Sequence, residues 1–194
     1  MKHLGRKFYH TVGGVGLLSL YFLLGSKPAF LVYGVLLVLV LFVEMARLKI
    51  PAVNRFFFER FSSFIRENEA DRLTGTSWYL LGIAASLALY APGVAAAGVC
   101  FLAFGDVAAA TIGERYGKRK IGDKSVEGTI AFLVAGMGAG LVLVIAGIAP
   151  VWWVMLVGVL VAAGVELLPV PVNDNLSIPI VSGGVMELIM RLAS

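Results

Sequence analysis

The sequence predicts an all-α fold: a polytopic membrane helical bundle of about seven transmembrane helices plus one interfacial amphipathic helix. Three observations carry that expectation. Only 14% of the 194 residues are charged and 59% are apolar, with a mean hydropathy of +0.91, whereas about a quarter of a water-soluble domain is charged. The apolar residues gather into long runs, and a crossing needs roughly 20 of them to cover about 30 Å of hydrocarbon at about 1.5 Å each. Nearly all Lys and Arg residues fall between the runs. Strand edges cannot be satisfied in lipid, so each run is expected to be a helix.

The first run, about 10–24, follows Lys2, Arg6 and Lys7. A basic start before an apolar stretch is also the pattern of a secretory leader. No clear small-x-small cleavage site follows, however, and Lys27-Pro28 leads directly into the second run, 28–47. The first run is therefore expected to stay as a span, lengthened by residues before it. The remaining runs are about 77–90, 94–113, 126–148, 151–168 and 176–192. Breakers separate them at Gly25-Ser26-Lys27-Pro28, Ala91-Pro92-Gly93 and Ala149-Pro150. Eight spans, or six with a re-entrant first segment, are the alternatives. The whole chain, 1–194, reads as one integral-membrane domain.

Charge sets the expected orientation. The N-terminal segment carries three Lys and Arg, the 47–75 loop six and the 113–127 loop five, which is 14 of the 16 in the chain. With seven spans these segments share one side, and the positive-inside rule makes it cytoplasmic. The 168–175 loop joins them, and the C-terminus lies outside. Lys27 and Arg191 are the exceptions. This basicity sits in loops rather than on an aromatic-laced face, so no nucleic-acid partner is expected. Cys100 is the single cysteine and lies in an apolar run, which excludes an intrachain disulfide.

Two segments have architectural readings. In 54–66, Phe57, Phe58, Phe61, Phe64 and Ile65 share one helical face, and Arg55, Glu59, Ser62, Ser63 and Arg66 share the other. Its Arg-rich face suits the headgroup level; packing over the bundle is the alternative. Gly136 and Gly140 form a G-x-x-x-G pair suited to close helix approach, within the chain or in a homodimer.

Asp106 is the sharpest chemical signal. It lies in an apolar run, where an ionisable group is costly, and so should face a polar cavity or a bound ion. A glycine-punctuated basic stretch follows, from Gly113 through Gly117, Lys118, Arg119, Lys120, Lys124, Ser125 and Glu127 to Gly128. It ends at a helix N-terminus, where backbone N–H groups attract anions. That chemistry suits a polyphosphate, although the Walker A spacing is absent. A contact to anionic lipid is the plainer reading of such a loop. A carboxylate at Asp106 able to hold Mg²⁺ against phosphates favours the first. Glu166, Asp174 and Asn175 flank Pro169 and Pro171 on the same side, as further ion or nucleotide contacts or, for the Asn173-Asp174-Asn175 run, as a helix cap. Arg6, Lys7 and His10 form a basic cluster, with His10 a candidate proton acceptor. Glu44 and Arg47 are one turn apart and positioned to pair.

These strings also resemble a known family. Gly105-Asp106-Val107-Ala108-Ala109, Gly113, Gly117 and Lys124-Ser125-Val126-Glu127-Gly128-Thr129 are similar to the core motif of the dolichol kinase/phytol kinase family of CTP-dependent lipid kinases, often grouped with phosphatidate cytidylyltransferases. Arg6-Lys7-Phe8-Tyr9-His10 resembles that family's N-terminal R-K-x-x-H element. Glu69 with Leu73-Thr74-Gly75 resembles the segment before its next span. Glu166-Leu167-Leu168-Pro169 with Asp174-Asn175-Leu176-Ser177-Ile178-Pro179 resembles its E-x-L-P and D-N-L-x-I-P ending. The resemblance runs from Arg6 to Pro179, with all four pieces on the expected cytoplasmic side.

The resemblance implies a membrane enzyme using CTP and Mg²⁺ on a long-chain lipid alcohol or phospholipid. Asp106, Glu166 and Asp174 would be metal ligands. Asp106, Lys124 and His10 would be catalytic. Arg6, Lys7, Gly113, Gly117, Lys118, Arg119, Lys120, Ser125, Glu127, Gly128 and Asn175 would bind the nucleotide. The long S-x-x-K-R and P-G-H-G-G signature of the classical cytidylyltransferases is absent, which favours a kinase acting on a polyprenol, phytol-type alcohol or diacylglycerol. A CDP-lipid-forming transferase is the first rival. A transporter or scaffold is the second, but no repeat is found and the polar residues gather at one face.

Overall fold

A computed structural model describes residues 4–66, 69–168 and 172–193. Lys2, Pro169 and Pro171 therefore lie outside the described residues. The described chain is an α-helical bundle with one short hairpin. Its elements are α1 (Leu4–Leu24), α2 (Ser26–Lys49), α3 (Pro51–Phe61), α4 (Gly75–Leu89), α5 (Pro92–Cys100), a π-helical turn (Phe101–Asp106), α6 (Val107–Tyr116), β1 (Lys120–Ile121), β2 (Lys124–Ser125), α7 (Val126–Ile145), α8 (Trp152–Leu167) and α9 (Asp174–Leu192). Each expected run is a helix. Among the described residues, four stretches are long and apolar enough to cross a membrane: α2, the continuous Pro92–Tyr116 helix, α7 and α9. The α4 and α8 helices are shorter apolar helices.

Local chemistry sets the boundaries. The α2 helix starts two residues earlier than expected, because Gly25 turns the chain alone at φ 80° and Pro28 is tolerated in a first helical turn. Pro51 opens α3. This helix is shorter than the expected 54–66. It ends at Phe61, and the Phe64 and Ile65 N–H groups fold back to the Phe61 carbonyl. Phe64, Ile65 and Arg66 therefore leave the helix, and Ile65 alone of the expected apolar face is buried.

The core lies among α4, α5, the π turn, α7, α8 and α9, where Tyr79, Ile83, Phe101, Phe132, Met155, Ile178 and Met186 are fully buried. By contrast, α2 leaves Leu31, Val35, Val38 and Phe42 exposed, as expected of a surface solvated by lipid. Gly136 and Gly140 pack within the chain. A β-carbon at Gly136 would lie 2.7 Å from Val159 Cγ2, and one at Gly140 3.4 Å from Met155 Cβ, so the pair sets the approach of α7 to α8.

Glu44 and Arg47 pair as expected and do more. The Arg47 Nε and Nη2 atoms donate to Glu44 Oε2 at 2.9 and 2.6 Å. The same guanidinium donates to the carbonyls of Glu69, Ala70 and Arg72. Glu44 Oε1 in turn accepts from the Thr74 N–H and hydroxyl. Both side chains are buried. The planar five-donor fork of arginine thus ties the segment after α3 to the end of α2.

Candidate active site

The chain segments flagged in the sequence converge at one end of the bundle. The start of α1, the segment after α3, the π–α6 junction, the hairpin, the end of α8 and the start of α9 line a cavity of about 440 Å³. A smaller cavity of about 210 Å³ adjoins it. Arg6, Arg66, Asp106 and Asp174 line both.

Asp106 reaches this cavity through an unexpected backbone feature. The 94–113 run is not a uniform α-helix: residues 101–106 form a π turn ending on Asp106. Such turns are rare and frequent at functional sites. The Thr11 hydroxyl donates to the Ala103 carbonyl at 2.9 Å, bracing the widened turn from α1. Asp106 is half-buried and faces Arg6, Arg66 and Lys124 across the cavity.

The basic stretch after α6 is a β-hairpin. Lys120 pairs with Ser125 and Ile121 with Lys124 around Gly122-Asp123, with Gly122 at φ +58°. Glycine at the first position of a two-residue turn is what such hairpins require. The hairpin delivers Lys120, Asp123, Lys124 and Ser125 to the cavity. It sits closely on α6: a β-carbon at Gly113 would lie 3.0 Å from Ser125 Oγ, and one at Gly117 2.7 Å from the same oxygen. At Gly128 a β-carbon would lie 2.9 Å from the Ala109 carbonyl. These three glycines let the hairpin, α6 and α7 approach one another; Gly113 and Gly128 line the cavity and Gly117 does not.

Lys124 occupies the centre of an ionic bridge. Its Nζ lies 2.7 Å from Glu166 Oε1 and 3.0 Å from Asp174 Oδ2. Burial alone would lower the pKa of this ammonium, but the charges of Asp174, Asp106 and Glu166 outweigh it and hold the group above the ordinary lysine value. Glu166 is buried, and its second oxygen has no hydrogen-bond partner. Among the described residues no three His, Cys, Asp or Glu side chains converge to hold a metal by themselves. The three expected carboxylates line one cavity but are interrupted by the ammonium.

Other expected residues are placed differently. Lys7 lines neither cavity. It is buried and donates to Glu114 at 2.8 Å, joining α1 to α6. Lys118 and Arg119 are exposed and line neither cavity. Their N–H groups donate instead to the Glu127 carboxylate, at 3.1 Å from Lys118 and 3.2 Å from Arg119. Glu127 thus closes the hairpin rather than facing the cavity. The α7 N-terminus is partly self-capped, because Ser125 Oγ accepts from the Gly128 N–H at 3.1 Å. Anion attraction in the cavity consequently falls to side-chain cations more than to that helix end.

The smaller cavity holds His10, Glu69 and Asn175. His10 is buried and stacks on Tyr79, with ring centroids 4.4 Å apart. Asn173 caps α9 by accepting from the Asn175 N–H at 3.0 Å, which realises the capping reading. Asn175 Nδ2 donates to the Gly75 carbonyl at 2.9 Å, tying α9 to α4. Arg66, Glu114 and Asp123 also line the charged cavity, although none is a site candidate from sequence; there Arg66 reads as loop charge and as part of a polar helix face.

The cavity gathers the cations of Arg6, Arg66, Lys120 and Lys124 with the carboxylates of Asp106, Glu114, Asp123, Glu166 and Asp174. So mixed a lining suits a polyanion that brings its own cation better than a bare anion.

Sequence comparison finds three proteins named CTP-dependent diacylglycerol kinase 1. The one from Saccharomyces cerevisiae is 28% identical over 140 residues, covering 68% of this chain and 47% of that protein. The one from Eremothecium gossypii is 31% identical over 136 residues, covering 68% and 43%. The one from Schizosaccharomyces pombe is 28% identical over 162 residues, covering 76% and 74%. The chain spans about half the length of the first two relatives and about three quarters of the third. No family model matches the chain, and no solved structure matches it.

Proposed function

We propose that this chain is a CTP-dependent lipid kinase, moving the γ-phosphoryl group of CTP to the hydroxyl of a long-chain lipid at the cytoplasmic membrane face. The observation that carries the reading is the convergence of Asp106, Lys124, Glu166 and Asp174 in one charged cavity at the end of an apolar bundle. A lipid kinase must bring a soluble nucleotide to a membrane-held alcohol, and that position serves both. The names of the relatives make diacylglycerol the first acceptor to test. Polyprenol and phytol-type alcohols offer the same hydroxyl and come second.

Phosphoryl transfer needs positioning and charge neutralisation more than covalent chemistry from the protein. Arg6, Arg66 and Lys120 would draw the triphosphate into the cavity and hold its oxygens. Lys124, kept charged by its two carboxylates, would neutralise charge as it develops on the departing CDP. The donor set fits Mg²⁺, which takes only one or two protein carboxylates plus phosphate oxygens; Asp106 and Asp174 line both cavities, and Glu166 offers a buried oxygen without a partner. When bound, the ion would offset charge between neighbouring phosphate oxygens. His10, in the smaller cavity with Asp106, would accept the hydroxyl proton as the acceptor oxygen attacks.

The test is incubation of the purified protein in detergent with Mg²⁺, diacylglycerol and CTP labelled at either the α or the γ phosphate. Transfer of the γ label alone to lipid, with CDP release, is the expected result. Transfer of the α label with pyrophosphate release would make the chain a cytidylyltransferase. No labelled lipid from any acceptor would refute both.

A further inference from the structure

An apolar chamber of about 450 Å³ lies beside the charged cavities. Sites that bury a ligand usually fall between about 300 and 1,000 Å³. Its walls are Leu39 and Val43 on α2, Phe57 and Phe61 on α3, and Phe64 and Ile65 in the turn after α3. Leu39, Val43, Phe61 and Phe64 are also exposed, so the chamber opens sideways to the bundle's surroundings. Its one charged pair, Glu44 and Arg47, is fully engaged with itself and with the segment that follows α3. Nothing in the lining calls for a charged occupant.

The chamber and the smaller charged cavity share a thin partition. Tyr9 lines the chamber and His10 the cavity; Ile65 lines the chamber and Arg66 the cavity. Thr74 and Thr76 line the chamber, and Gly75 between them lines the cavity. Three separate segments thus contribute adjacent residues to the two spaces. A second apolar groove, larger at about 1,040 Å³, runs between α1, α6 and α7. It lies on the far side of α6: Val107, Ala108, Thr111 and Ile112 line the groove, while Ala109, Ala110 and Gly113 line the charged cavity. A whole helix, about 10 Å across with its side chains, separates that groove from the chemistry.

We infer that the chamber roofed by α3 holds an acyl chain of the acceptor lipid, with the acceptor hydroxyl crossing the Tyr9–Thr76 partition toward Asp106 and His10. The inference rests on the lipid-kinase reading. It gives α3 a role beyond surface anchoring, since its phenylalanines form the wall between the acceptor tail and water.

The experiment uses diacylglycerol bearing a photoactivatable diazirine in one acyl chain, with a diazirine phosphatidylcholine as comparison. Both the intact wild-type protein and Asp106→Asn are irradiated in detergent without CTP, and labelled peptides are mapped. Diacylglycerol labelling of residues 39–43 and 57–65 at about threefold or more over phosphatidylcholine is expected in both proteins. Labelling confined to the α1–α6–α7 groove, or identical for the two lipids, would overturn the inference. Val43→Trp provides a kinetic arm: KM for long-chain diacylglycerol should rise about tenfold while KM for CTP holds, and Ala135→Trp in the other groove should change neither. Unchanged KM in Val43→Trp would equally refute it. Photolabelling needs no turnover, so a protein that labels in the chamber but phosphorylates no lipid fails the kinase reading and keeps the chamber.

Discussion

Lys124 Nζ lies 2.7 Å from Glu166 Oε1, and the other oxygen of that buried carboxylate has no partner of its own. The hairpin and α8 are therefore coupled through one ammonium. Replacing it by Lys124→Met leaves Glu166 and Asp174 facing each other without a cation. Removing one member of a buried pair typically costs about 3–5 kcal/mol; a third of the Lys124 side chain is exposed, so about 2 kcal/mol is expected here, together with loss of CTP turnover. Thermal unfolding in detergent and the labelled-product assay check the two effects.

The same ammonium sets a pH dependence. Its pKa is held above the ordinary lysine value in the folded state. Its stabilising contribution is therefore complete below about 10.4 and is lost only as pH rises through the higher folded value. The difference in melting temperature between wild type and Lys124→Met should stay constant between about pH 7 and about pH 9 and shrink above about pH 10.4. A difference that already declines by about pH 8 would contradict the bridge.

Asp106→Asn keeps the shape of the side chain and removes its charge. We expect turnover to fall about 100- to 1,000-fold, the scale for losing one preorganised electrostatic partner, with the melting temperature nearly unchanged. Activity like wild type would remove Asp106 from the mechanism.

Arg47→Lys tests the buried anchor at the end of α2. An ammonium cannot reproduce the fork that serves Glu44 and three carbonyls at once. A loss of about 2 kcal/mol is expected for Arg47→Lys and about 3–5 kcal/mol for Arg47→Ala, where Glu44 is left uncompensated. Chemical unfolding in detergent measures both.

Gly128→Ala adds a β-carbon 2.9 Å from the Ala109 carbonyl and 3.1 Å from Ser125 Oγ. Backbone must move for it to fit, at about 1–3 kcal/mol. Because α6 carries Gly113 into the cavity, we expect kcat to drop about tenfold even where the protein stays folded. Product rates at saturating CTP check it.

The helices were legible in the sequence because lipid leaves so few options: an apolar run of sufficient length has no other way to satisfy its backbone. The site was legible where a residue was out of place in its run, as with Asp106, or repeated a dense polar motif, as with Lys124 and Asp174. The Gly122-Asp123 turn is legible too, since a glycine-led pair between β-capable residues signals a hairpin. Lys7 illustrates what was not legible. Its partner Glu114 is 107 positions away, and no local pattern announces such a pairing. Arg66 was hidden for a different reason: a regular helix through 66 would have placed it on a solvent face, and the early end of α3 reassigned it.

The π turn ending on Asp106 makes the direction of that carboxylate a matter of residue count rather than residue identity. Each residue of a regular helix advances the side-chain direction by about 100°. Deleting a single amino acid between 101 and 105 would let the segment relax to an unbroken α-helix, leave its hydrophobicity almost untouched, and swing the acid toward a neighbouring helix or the hydrocarbon. Insertions and deletions in this stretch would therefore be silent for membrane insertion and severe for chemistry, the reverse of what a hydropathy profile suggests.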